Sequence, residues 1–178
     1  MKNEVLLGTG DATGMFFHAP AGTALPATAL TAPSADWKKV GDITSDGISF
    51  TKDVSTEDIK NWANVIKRTV LKDASSEVKA PIMDTTETTM KVIFGEDNVK
   101  SADGTINVNM SAAELPDQEA YLFLMKDGDD VMMLGTSKGQ ITSLGNVSFK
   151  PGEGIKWEVT IKGLEDGWQF LLGSKESA

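Results

Sequence analysis

The sequence predicts a mainly-β fold, a β-sandwich or partly closed β-barrel with one flanking α-helix at about residues 85–94. Three observations predict it. From Trp37 to the C-terminus, short runs that alternate apolar and polar residues recur between Gly/Asp/Asn turn signals. Only one stretch carries both a helix start and a helix stop signal, residues 84–95. The chain is 178 residues long with 40% apolar side chains, enough to bury one core without disulfide staples.

Taken in order, residues 1–14 (MKNEVLLGTGDATG) are polar and rich in Gly and Thr, and read as a mobile arm. GMFFHAP (14–20) is a short apolar run suited to a strand or a docking segment. APAGTALPATALTAPSA (19–35) holds three prolines, which remove backbone donors and push their neighbours to extended conformations. Residues 1–36 are therefore expected to form an extended N-terminal arm, and residues 37–178 a single β-domain. WKKVGDI and GISFTKDV flank TSDG, so Asp46–Gly47 is expected to turn a hairpin over residues 37–50. A second strand pair is expected over 59–73 and 76–84. Ile59, Trp62, Ile66 and Val70 lie at helical spacing there, but the β-branched content favours strand.

The helix follows. Asp84 and Glu87 have capping-box spacing, Met90, Ile93 and Phe94 form an apolar stripe, and Gly95 supplies the stop. Beyond it, Ile106, Val108 and Met110 are expected to share one face of a strand in GTINVNMS (104–111). AYLFLMKDG (120–128) is apolar on both faces, as a central strand would be. DVMMLGTS and KGQITSLGNVSFK come next, with Gly145 placed for a bulge. GIKWEVTIKG (154–163) sets Ile155, Trp157, Val159 and Ile161 against Lys156, Glu158, Thr160 and Lys162, and DGWQFLLG (166–173) closes the series.

Several function classes are disfavoured. Seventeen basic residues face 26 acids for a net charge of −9, and Arg68 is the only arginine. Nucleic-acid binders neutralise phosphates and read them with Arg forks, so a free-standing DNA or RNA binder is not expected. The same field repels an anionic membrane surface. No stretch approaches 18 consecutive apolar residues, and the N-terminus lacks a signal-peptide pattern, so a soluble protein made in the cytoplasm is expected. With no cysteine and His18 as the only histidine, thiolate chemistry and a zinc–thiolate site have no ligands, and His18 beside Phe16 and Phe17 reads as a packing or interface residue.

GTGDATG (8–14) has the wrong spacing for a dinucleotide fingerprint and no strand–helix context. The Asp127, Asp129 and Asp130 carboxylates of DGDD (127–130) could touch a calcium ion but lack the rest of a binding loop, and hairpin turns favour these residues anyway. Close carboxylate pairs occur by chance among 26 acids. The expectation is a non-enzymatic protein with no catalytic, cofactor-binding or metal-binding residues and no cofactor. What stands out is the surplus of strand, whose edges pair with other chains unless managed.

The order of pieces resembles the major tail (tail tube) proteins of long-tailed bacteriophages, particularly those infecting actinobacteria. The resemblance covers roughly residues 13–172. It rests on the APAGTALP arm, the W-x-x-x-G and S-D-G-I turn, the capped helix in TTETTMKVIFGEDNV, and the closing strands through FKPGEGIKWEVTIKGLEDG. It implies a virion protein of the tail whose six-subunit rings stack into a hollow tube. Its partners would be further copies of itself, the tape-measure protein, the tail terminator and the tail-tip proteins. DNA would pass through the bore without specific binding, and no membrane would be involved. A second reading stays open, a non-enzymatic β-sandwich that decorates a capsid or binds a host surface or carbohydrate. Trp62, Trp157 or Trp168 exposed in a shallow groove would favour it.

Overall fold

The computed structural model describes residues 5–10 and 15–174. Eleven strands and one α-helix follow one another in this part of the chain. The first strands are β1 (Thr9–Gly10), β2 (Phe16–Pro20), β3 (Lys38–Gly41), β4 (Ser49–Lys60) and β5 (Ile66–Ile82). The helix α1 (Glu87–Phe94) comes next, then β6 (Val99–Ala102), β7 (Thr105–Val108), β8 (Glu119–Asp127), β9 (Asp130–Leu144), β10 (Trp157–Gly163) and β11 (Gln169–Ser174). One large antiparallel sheet runs β3-β2-β8-β9-β10-β5-β4, and β6 and β7 form a separate ribbon.

β9 is the pivot of the large sheet. Its first part, Asp130 to Gly135, pairs with β11, and its second part, Gly139 to Leu144, pairs with β10. Two strands that share one edge of a third must diverge, so the sheet splits and folds over without closing into a barrel. The result is sandwich-like, with one flanking helix, as the sequence predicts.

The main core fills the fold of the sheet. Phe16 stacks on Phe123 at 4.6 Å between ring centroids and Tyr121 lies beside them. Val78, Ala80 and Ile82 of β5 join Trp157, Val159 and Ile161 of β10 in the same core. The alternation in residues 157–161 is thus realised, with Trp157 in the core. The helix seals this core through Met90, Val92 and Ile93. A second, smaller core lies on the opposite face of β2, β8 and β9, where Ala19, Leu122 and Met133 are covered by Leu25, Ala29 and Trp37. The irregular stretch that follows β2 therefore lies across the sheet. It lies so close to β9 that a side chain at Gly135 would meet Leu25 at 2.7 Å.

Four expectations are corrected. Asp46–Gly47 does turn the chain, with Gly47 at a φ of 71°, but the runs it separates do not pair. β3 pairs with β2 and β4 pairs with β5, so the two runs leave the turn for opposite ends of the strand order. Residues 59–84 are not a pair of strands broken near 74. β4 and β5 form one long hairpin, and its turn lies at 61–65, where the left-handed residue is Asn64. The helix is capped by Thr86, whose hydroxyl accepts from Thr89 N, while Asp84 accepts from the Asp42 backbone N–H at 2.8 Å. Finally, the strand in 104–111 ends at Val108, and Ile106 and Met110 are exposed instead of sharing a buried face. Residues 1–4 of the expected arm and 11–14 of GTGDATG lie outside the described residues. Within that motif, Thr9 and Gly10 pair with Lys126 and Met125 at the sheet margin.

Candidate assembly surface

The residues singled out for possible chemistry do not converge. His18 Nδ1 lies 3.1 Å from both carboxylate oxygens of Glu119, its neighbour across β2 and β8, so its role is a cross-strand hydrogen-bond contact. Asp127 accepts the Leu7 backbone N–H and Asp130 is buried at the start of β9, so DGDD forms the tight β8–β9 turn. Among the described residues no group of three His, Cys, Asp or Glu side chains is placed to hold a metal ion. Burial holds the Tyr121 hydroxyl far above the ordinary tyrosine range and so keeps it neutral. No helix among the described residues is long and apolar enough to cross a membrane.

The tryptophans are also dispersed. Trp37 and Trp157 are buried, and the Trp157 indole donates to Thr85 Oγ1 at 3.0 Å. Trp168 is half-buried against Phe123. Trp62 stands alone and fully exposed at the tip of the β4–β5 hairpin. Of the three tryptophans that could mark a binding groove, Trp168 lines an open pocket at the base of the hairpin, and Trp62 and Trp157 are not among its walls.

That hairpin is the outstanding surface of the molecule. Every residue of β4 is exposed, and so is nearly all of β5 before Ser75. β10 pairs with β5 only from Glu77 to Ile82, so the rest projects beyond the body as a two-stranded ribbon. Strands form here because backbone N–H and C=O groups find partners across the ribbon, in a register that runs from Ser49–Lys79 to Lys60–Ile66. The tip is ordered: Asn61 Oδ1 accepts the Val65 N–H at 2.9 Å, and Asn61 O accepts the Asn64 N–H at 2.9 Å.

Side chains alternate across a strand, so the register separates two faces. Phe50 pairs with Val78, which points into the core, and the same face continues through Lys52–Ser76, Val54–Ala74 and Thr56–Leu71. The opposite face carries Thr51–Glu77, Asp53–Ser75, Ser55–Asp73 and Glu57–Val70. One face is largely apolar and the other acidic. Phe50, Val54 and Leu71 remain exposed, an apolar strip of the kind that marks an interaction site.

Charge is segregated along the hairpin as well. Residues 59–72 contain Lys60, Lys67, Arg68 and Lys72 and no acid, so taking those four charges from the total of −9 leaves −13 on the rest of the chain. The acid-free run was a sequence signal for this tip that period-2 reading passes over. At the base of the hairpin an open apolar socket of about 430 Å³ is lined by Ile48, Phe50, Met125, Leu134, Trp168 and Phe170. The turn into Trp168 places Glu165 and Asp166 next to it in sequence.

Comparison with a family model agrees in kind: one described as phage tail tube protein matches residues 3–171. No curated protein sequence matches. Among solved structures, the chain is similar to one titled as the anti-feeding prophage cap (AFP tube terminating cap), at 10% identity and a TM-score of 0.48, over 97% of both chains. It is also similar to a chain of the virion of a native gene transfer agent particle, at 8% identity and a TM-score of 0.46, over 93% of this chain and 100% of that one. A third is the tail of an empty gene transfer agent particle refined with C6 symmetry, at 10% identity and a TM-score of 0.44, over 94% and 99%.

Proposed function

The chain belongs to the phage tail tube protein family, and from that premise we propose that it assembles into stacked hexameric rings whose bore conducts DNA at ejection. As a family member it is a structural protein of the virion tail. The observation that carries the finer reading is the projecting hairpin: its strands pair only with each other, so its outer edges and its apolar strip are left uncovered, and another subunit can cover both. Adjoining sheets close such ribbons edge to edge, which removes the free edge of β4.

The two faces then take different places. The apolar face of Phe50, Val54 and Leu71 packs on a neighbour, and the acidic face of Asp53, Glu57, Asp73 and Glu77 lines the bore. Duplex DNA carries one negative charge per ~1.7 Å of axis, and a wall of like sign does not hold it. Screening over ~8 Å at physiological salt keeps that repulsion short-ranged, so the DNA slides without adhering. The protein has no reaction to perform. The tape-measure, terminator and tip proteins are its other partners, meeting the ends or the lumen of the tube.

Negative-stain electron microscopy of the purified chain across a concentration series tests the reading. Rings or hollow tubes are expected at high concentration, alone or on addition of tail-tip extract. Small monodisperse particles under every condition would sink it.

A further inference from the structure

Trp62 and the socket at Ile48, Phe50, Met125, Leu134, Trp168 and Phe170 sit at opposite ends of one hairpin. The strand from Phe50 to Trp62, at ~3.3 Å per residue, spans about 40 Å. A paired, ordered ribbon cannot fold back over that length to fill its own socket. We propose that Trp62 is a knob that seats in this socket on a second copy of the chain, steered there by the basic tip of one subunit meeting the acidic body of the next. The proposal deepens the tube reading and rests on it, because it names the contact that joins the copies.

Three observations select a second copy as the occupant. The socket is apolar and half-open, and three of its aromatic side chains, Phe50, Trp168 and Phe170, can receive an indole face. The tip around Trp62 carries four cations and no acid over residues 59–72, whereas the rest of the chain, including Glu165 and Asp166 beside Trp168 in sequence, carries the −13 that remains. Knob and socket lie at different places on one chain, so a contact made head-to-tail repeats from copy to copy and builds the rings or filaments that the tube reading requires, whereas a reciprocal exchange would stop at a two-fold dimer. A nucleic-acid partner would use the four cations but leave Trp62 and the socket without a role.

The chain has no cysteine, so site-specific disulfide trapping has no background. Trp62→Cys and Phe170→Cys variants are purified separately, mixed and oxidised. A covalent dimer is expected from the mixture, and a Trp62→Cys plus Leu115→Cys mixture, whose second site lies away from the socket, is expected to give none. In parallel, Trp62→Ala is expected to raise the concentration needed for assembly on the order of 30-fold, as loss of a central aromatic anchor does. Raising salt from low to high ionic strength, or the double change Lys60→Glu with Arg68→Glu, is expected to slow assembly. Trp62 is fully exposed in the monomer, so its removal leaves the fold intact and circular dichroism melting confirms it.

Rings or tubes that form normally from Trp62→Ala overturn the knob and leave the tube reading standing. So do rings or tubes from the mixed Trp62→Cys and Phe170→Cys variants that show no crosslink between the two positions. A wild-type chain that makes neither rings nor tubes at any concentration, with no crosslink in the variant mixture, overturns both.

Discussion

The two ends of β5 share one backbone geometry and opposite surroundings. Val78, Ala80 and Ile82 are fully buried, and Ile66 to Ala74, on the same strand, contribute nothing to the core. The difference shows that pairing and burial are separable here. The body is complete in one chain, because the folded sheet, the helix and the irregular stretch across β9 cover both faces of its central strands. The hairpin's strands pair only with each other. A two-stranded ribbon is marginal in water on its own, so it holds its shape by continuing strands anchored in the body, and in the proposed tube a neighbour covers its side chains.

The largest effect expected from this comparison comes from removing the hairpin. Asp53 and Ser75 are paired across it, so replacing residues 54–74 by Asn-Gly closes the ribbon with a tight turn. The shortened chain is expected to stay folded, with its Tm within about 4 °C of the full chain, which corresponds to about 1 kcal/mol or a little more at this size. It is also expected to form no rings or tubes at any concentration at which the full chain does. Scanning calorimetry and electron microscopy on the same samples read both. An unfolded truncate would mean that the body depends on the hairpin, and the comparison would fail.

Next in size is a pair of substitutions placed at the two ends. Phe123 is buried against Phe16 and Trp168, and Phe123→Ala is expected to cost about 3–5 kcal/mol in urea unfolding of the monomer. Leu71→Ala removes a large apolar side chain from the hairpin, and is expected to change monomer stability by less than about 0.5 kcal/mol. Its cost appears in assembly instead. If Leu71→Ala destabilises the monomer as Phe123→Ala does, the strip is already buried in solution and the free subunit is not a monomer.

The same contrast explains what the sequence disclosed. Where a face is buried, the pattern was legible: β8 is apolar on both faces because both cores press on it, Trp157, Val159 and Ile161 alternate cleanly, and Gly95 stops the helix at a φ of 88°. The mainly-β class with one helix followed directly. In the hairpin neither face is buried by this chain, and Lys52 and Thr56 interrupt the apolar side of its alternation, so the pattern did not disclose its register. The true turn has Asn64 in place of a Gly, while the conspicuous Asp46–Gly47 turn joins strands that part company. The socket was not legible at all, since Ile48, Met125, Leu134 and Phe170 come from four separate stretches that only the fold brings together.

The smallest effect concerns the join between the two regions. Lys156, just before β10, lies 2.7 Å from Asp46 at the turn that leads into β4, and so ties the base of the hairpin to the body. The hydrogen bond and charge of Lys156 hold the Asp46 carboxyl below its ordinary value. A carboxylate with a depressed folded pKa contributes stability above its unfolded value, near ~3.9, and loses it as pH falls through the folded one. Asp46→Asn is therefore expected to lower Tm by a small, constant amount from pH 7 down to about 5, with the gap to wild type closing below the usual aspartate range. Both side chains are well exposed, so water and salt screen the pair and the shift stays small. Hydrogen exchange gives the sharper readout: the amides of Ser49 to Lys52 are expected to exchange faster in Asp46→Asn, while those of Val78 to Ile82 stay protected. Equal acceleration in both sets would show that β4 and the buried part of β5 open together at the base of the hairpin, and that the boundary between body and hairpin does not lie where burial places it.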